Sequence, residues 1–290
     1  MASDHALSQG SCQPESLAGK DFAIMPHRAT FFFIVLLAVH VPFLGAHAEA
    51  MTANDILSEV VKRNFQDTFR LAIDLKTFKG KKTLSNHSLW CVVRPEADQA
   101  AIFVDFEEPE DSKGLRFLFL LREGQQPDAY MYLPASEKTL PLDLDDASAD
   151  VGGTGLTMDD IRVFAPQPGQ DGTLEREEKE NGRDCYVVSV PLPEGKGQRV
   201  LWVSKDQFTL VKVEHLGPDG KANRVFRVVE FFRNEKGKEF PREEEIVVPG
   251  KGVRIRVRQQ HAVFGIEIPD ELTDPKTFGT FQWKSAPAPS

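Results

Sequence analysis

"SKGLRFLFLLRE", residues 112–123, decides the fold class. Counted by twos, one face carries Leu115, Phe117, Phe119 and Leu121, and the other carries Leu118 and Leu120 between Arg116 and Arg122. Both faces are apolar. A strand buried on two sides ordinarily lies in a parallel sheet roofed by helices, so helical periodicity is expected elsewhere. Only one strong case occurs, in "TANDILSEVVKRNFQDTF" at residues 52–69. Thr52 and Asp55 there form a start signal close to a capping box, while Ile56, Leu57, Val60, Val61 and Phe65 fill one half of the helical wheel.

The remainder alternates with period two. "FRLAIDLKT", "HSLWCVVR", "AAIFVDFE", "AYMYLP" and "KTLPLD" come first, then "CYVVSVPLP", "RVLWVSKD", "FTLVKVEHL", "NRVFRVVEFF", "EEIVVPGKG" and "VRIRVRQQ". Their links are short and rich in Gly, Pro, Asn and Asp, which predicts an antiparallel meander of some ten or eleven strands. One segment, "DDASADVGGTGLTMDDIRVF" at 145–164, interrupts it. Gly152, Gly153 and Gly155 read as a mobile hinge, and Thr157 with Asp159 and Asp160 can cap a second short helix carrying Ile161, Val163 and Phe164.

Strands spaced about 4.8 Å apart make such a sheet roughly 50 Å wide, whereas a helix covers only about 10 Å. Two short helices cannot roof it. Either the sheet closes into a barrel stuffed with side chains, or it stays an incomplete barrel with an apolar trough.

The chain has 290 residues and a formal charge of −9, which argues against nucleic acid as a partner. Residues 25–48 read as a secretory leader: His27 and Arg28 precede an apolar run from Phe31 to Leu44, and Ala46-His47-Ala48 is a small-x-small cleavage site. An uncleaved anchor is the rival reading, against which the run is short and broken by Pro42. Residues 1–24 are either a mis-called start or a disordered extension. Residues 49–283 then form one exported domain, and 284–290, "KSAPAPS" from Lys284, a disordered tail.

Catalytic constellations are missing: there is no H-E-x-x-H, C-x-x-C, G-x-S-x-G or P-loop. His87, His215 and His261 stand apart without ligands at metal spacing and read as surface or strand histidines. Asp143, Asp145, Asp146 and Asp150 lack the glycine and closing Glu of a calcium loop and read as a solvated acidic turn. No metal or cofactor is expected. Cys91 and Cys185 both fall in strand-like runs and are either a disulfide or two buried thiols. Arg254, Arg256 and Arg258 share one strand face, which is either a docking strip for anionic headgroups or an acidic partner, or a solvated face that guards against aggregation.

The order of motifs carries a family likeness. Pro109, Lys113, Gly114, Arg116 and Leu118, then Tyr132, Leu133 and Pro134, then Gly153, Asp160 and Ile161 match successive motifs of the periplasmic outer-membrane lipoprotein-sorting carriers related to LolA. "LWVSKDQFTLVKVEHLGPDGK" at 201–221 and "FGIEIPDEL" at 264–272 resemble that family's later hairpin and closing segment. Tyr130 stands where the family often has Trp, and Gly155, Leu156 and Met158 depart from its lid motif.

The resemblance implies an antiparallel half-barrel with a helical lid whose hollow shelters lipid acyl chains in the periplasm. Leu115, Phe117, Phe119 and Leu121 would be its wall, and Ile56, Leu57, Val60 and Val61 the underside of its first lid helix. An inner-membrane transporter would be the donor, an outer-membrane acceptor the destination, and the carrier a monomer. A sensor that binds lipid or lipoprotein as a signal is the rival function, and an enzyme acting on envelope lipids the third.

Overall fold

The computed structural model describes residues 51–283 apart from 97–98, 123–124, 126, 145, 147 and 164–170. The leader at 25–48, the piece before it and the tail at 284–290 lie outside the described residues, as do Asp145 and Phe164.

Helix α1 (Ala53–Asn64) opens with a full Thr52/Asp55 capping box and closes with Lys62 and Arg63 in its last turn, a charge order that suits the helix dipole. Strands β1 (Phe69–Lys79), β2 (Lys82–Pro95), β3 (Gln99–Glu108), β4 (Arg116–Arg122), β5 (Asp128–Leu133) and β6 (Lys138–Pro141) follow as a meander. After helix α2 (Met158–Arg162) a second meander runs through β7 (Thr173–Glu180), β8 (Arg183–Pro191), β9 (Gln198–Ser204), β10 (Leu210–Leu216), β11 (Ala222–Arg233), β12 (Glu239–Val248) and β13 (Val253–Phe264). Among the described residues the strands number thirteen rather than ten or eleven. Strand β7, "TLEREEKE", has no counterpart among the alternating segments because it is a solvated edge whose charged residues show no apolar face.

All thirteen strands form one sheet, in the order β6-β5-β4-β3-β2-β1-β13-β12-β11-β10-β9-β8-β7. The meanders meet where β1 pairs antiparallel with β13, from Phe69 opposite Phe264 to Lys79 opposite Val253. The sheet does not close, since β6 and β7 remain edges.

Both faces of β4 are covered, but differently. Phe117 and Phe119 face inward with Leu89, Phe106 and Ala129, under Val151 and Met158 of the segment that links the two meanders. Leu118 and Leu120 face outward with Val92 and Phe103, beneath Ile268, Leu272 and Phe278 of the chain's last part. The second apolar face is therefore not cavity wall; residues after β13 pack on it.

Arg116 fastens that cover. Only 8% exposed, it donates to the carbonyls of Phe278 (3.1 Å), Gly279 (2.8 Å) and Phe281 (2.9 Å), and its Nε reaches Asp105 at 3.1 Å. At Gly279 the backbone lies so near Tyr132 that a Cβ would sit 2.3 Å from the ring.

The cysteines do not pair. Cys91 points inward from β2, whereas Cys185 is buried on the opposite face with Val187, Val200, Trp202 and Val211, and both are free thiols. Alternation explains this, since the two residues occupy opposite faces of different strands. Trp202 is covered by long basic side chains, with Lys212 4.1 Å and Arg176 6.0 Å from its ring.

Arg116→Ala leaves Asp105 half-buried without its cation and three carbonyls without a donor, so an equilibrium urea titration should show a loss of about 3 kcal/mol. Phe278→Ala should lose a similar ~3 kcal/mol by emptying the outer cluster.

Candidate functional site

The inward residues of β1 come at every second position, Phe69, Leu71, Ile73 and Leu75, and all four line a cavity of about 260 Å³. Leu89, Cys91 and Val93 of β2 continue its wall on one side, with Ile102, Val104 and Phe106 of β3 beyond them. On the other side stand Val257, Phe226 and Leu210 from the second meander. The roof has two parts. Arg63, Asn64 and Phe65 come from the end of α1, and Val151, Thr154, Leu156 and Ile161 from the linking segment.

Buried charges hold the second roof piece in place. Asp160 accepts from Arg224 Nε at 2.6 Å while Arg224 also donates to the Gly155 carbonyl at 2.9 Å. Asp159 is paired with Arg199 and lies 2.7 Å from His215 Nδ1. Burial pushes the Asp159 carboxyl up, but the His215 hydrogen bond and the Arg199 charge outweigh it and hold it down at about 2. Thr77 Oγ1 donates to the Thr154 carbonyl at 2.6 Å, tying the glycine loop to β1. Within that loop Gly152, Gly153 and Gly155 all take positive φ, and Asp150 accepts from the amides of Gly153 and Gly155 at 2.5 and 2.7 Å.

The residues singled out from sequence separate here. Phe119 lines the cavity. Phe117 stacks beside it, with ring centroids 6.3 Å apart, while Leu115 and Leu121 are half-buried members of the same cluster. Ile56, Leu57 and Val60 are buried against Val188, Val203 and Val213 of the second meander, and Val61 is half-buried. It is the turn after them that reaches the cavity. His215 and His87 are buried, not surface, and His215 grips the linking segment.

The arginine strip is not a free cationic surface. Arg254 lies 3.3 Å from Glu245, and Arg256 and Arg258 lie 3.4 and 3.9 Å from Glu243, because the neighbouring strand presents acids on the same outer face. Sequence reasoning set the arginines apart from those glutamates, which belong to another strand.

It also missed Glu244. This β12 residue opens onto the cavity, makes no hydrogen bond or ion pair among the described residues, and is pushed up to about 7 by burial. Burial, with the Glu244 charge as a lesser cause, pushes the Cys91 thiol up to about 12. Arg63 falls to about 10 for the same reason of burial, against the charge of Glu239. Among the described residues no group of His, Cys, Asp and Glu is arranged to hold a metal, and no helix is long and apolar enough to cross a membrane.

A family model described as "-like: Uncharacterized protein" matches residues 98–278. No curated protein matches the sequence. Solved structures do share the fold. A domain from Vibrio parahaemolyticus, described as an outer membrane lipoprotein-sorting protein domain, is 15% identical with a TM-score of 0.68 over 78% of this chain and 99% of its own. A DUF1329 family protein from Desulfovibrio piger is 17% identical with a TM-score of 0.65 over 77% and 97%. A LolA superfamily protein from Nitrosomonas europaea is 18% identical with a TM-score of 0.57 over 78% and 98%. The fold is thus LolA-like, mainly β, with an open antiparallel sheet and two helices.

Two substitutions test the electrostatics. A carboxyl raised in the fold from 4.5 to about 7 costs stability increasingly as pH rises between those values, so Glu244→Gln should be more stable than wild type by up to about 3 kcal/mol at pH 8, and the gap should close toward pH 4.5. Asp159 has the opposite sign. Its contribution is complete above its ordinary 3.8 and is lost as pH falls toward about 2, so Asp159→Asn should cost about 2 kcal/mol at pH 7 and progressively less in acid.

Proposed function

This chain belongs to the family described as "-like: Uncharacterized protein", and we propose that it is a carrier that shields the acyl chains of lipoproteins or free lipid. One observation supports the reading above the others: the joined centre of the sheet bears an apolar cavity that the chain's own helices roof without filling. Each methylene taken from water into such a space contributes about 0.8 kcal/mol, so one long acyl chain supplies on the order of 10 kcal/mol. That is enough for stable carriage and small enough for release to an equally apolar site.

In this proposal the leader at 25–48 takes the chain to the periplasm, an inner-membrane transporter hands over the lipid, and an outer-membrane acceptor receives it. Gly152, Gly153 and Gly155 are the hinge on which the roof lifts, with the Asp159 and Asp160 ion pairs as its catch. The carrier catalyses no reaction.

Native mass spectrometry of protein purified from its own envelope, with lipid extraction of the same sample, should show bound acyl species. A fluorescent fatty acid should be taken up in vitro, and Ile102→Trp, which fills the cavity, should weaken that uptake at least about tenfold, the worth of a few displaced methylenes. Absence of acyl species together with absence of uptake would remove the proposal.

A further inference from the structure

The cavity is apolar except at a few points, and several of those points are unsatisfied. Thr209 is 2% exposed and Gln259 9% exposed, both line the cavity, and neither the Thr209 hydroxyl nor the Gln259 Oε1 has a partner among the described residues. Glu244, half-buried, also opens onto the cavity and makes no hydrogen bond or ion pair among the described residues, and on the roof Arg63 Nε and Asn64 Nδ2 are buried without partners. On the sheet Glu244 stands opposite Val257, two residues before Gln259, so the two polar side chains are diagonal neighbours on one face. Buried polar groups normally find partners, and two of them opening with Glu244 onto one apolar hollow point to a guest that supplies what they lack.

We infer that Glu244, Gln259 and Thr209 form a polar reading point for the head of an acyl chain, and that the group read there is an amide. The inference rests on the carrier reading and deepens it. A neutral Glu244 carboxyl donates to a carbonyl oxygen, and Gln259 Oε1 accepts from an N–H beside it; Thr209 can do either. An ester offers acceptors alone and leaves Gln259 unsatisfied. The other charged or titratable groups on the wall are Arg63, from α1, and Cys91, from β2. The strand neighbours of Glu244 are Val257 on β13 and Val228 on β11, and among the described residues the linking segment contributes Val151, Thr154, Leu156 and Ile161 to the lining. Nothing basic is therefore close enough in the strand register to hold Glu244 ionised, and burial keeps its proton on up to about pH 7.

The test is displacement of diphenylhexatriene, an uncharged fluorescent probe, by N-methyldodecanamide and by methyl dodecanoate at pH 6 and pH 8.5. Wild type should prefer the amide about tenfold at pH 6, the worth of one buried hydrogen bond, and its affinity for the amide should fall at least about tenfold at pH 8.5. E244Q keeps a neutral donor at every pH, so it should keep the preference and lose the pH dependence. E244L should bind both guests with no preference. Equal affinity for amide and ester in wild type, or a pH dependence that persists in E244Q, would overturn the reading point while leaving the carrier standing. Failure of the probe and both guests to bind at either pH would remove the two together.

Discussion

Strands β6 and β7 follow one another along the chain yet occupy opposite edges of an open thirteen-stranded sheet. The segment between them has to travel from one edge to the other, and its described residues lie over the inner face, where the apolar ones find the apolar side chains of β1 to β4. The link that the strand order demands thus doubles as a roof. Its fastening is a separate matter, met by charge: Arg199, His215 and Arg224 project from β9, β10 and β11 and take Asp159 and Asp160 from the short helix α2. Each meander then has its own inner cover, the linking segment over the first and α1 over the second. The hollow lies where the two covers meet.

Those ion pairs differ in kind from the apolar contacts around them. Buried charges contribute modest net stability against a hydrophobic replacement, but breaking one partner is costly, so they define one position of the segment rather than a range. An apolar roof alone would slide. Holding it by a few directional bonds fixes its place over the sheet.

Much of the fold was legible in the sequence. Period-two alternation marked the strands, Thr52 and Asp55 marked the start of α1, and of the closed and incomplete barrels that the excess of apolar sheet over helix left open, the family resemblance pointed to the incomplete one. Strand β7 was invisible because a solvated edge needs no alternation. The site was less legible, for a physical reason: which inward residues meet space and which meet other side chains depends on how two distant meanders are set against each other. Phe119 reaches the cavity and Phe117, two residues away on the same face, packs in the neighbouring cluster. Glu244 sits in the acidic run Glu243, Glu244 and Glu245, where alternation sends the middle residue inward and its neighbours out to Arg254, Arg256 and Arg258. The run of three acids hides the one that differs, and only the strand register separates it. Of the two readings left open for Cys91 and Cys185 the structure has the free thiols, and the sequence could not choose because compartment and spacing say nothing about which face a thiol takes.

The outer cover of β2 to β5 is the last part of the domain to leave the ribosome. Until residues 266–283 arrive, Phe103, Leu118 and Leu120 have nothing to lie beneath, and Arg116 has no carbonyls to bind. Vectorial synthesis therefore runs well ahead of folding: the first meander can form its ladders early, but its outer side stays sticky until these residues have been made.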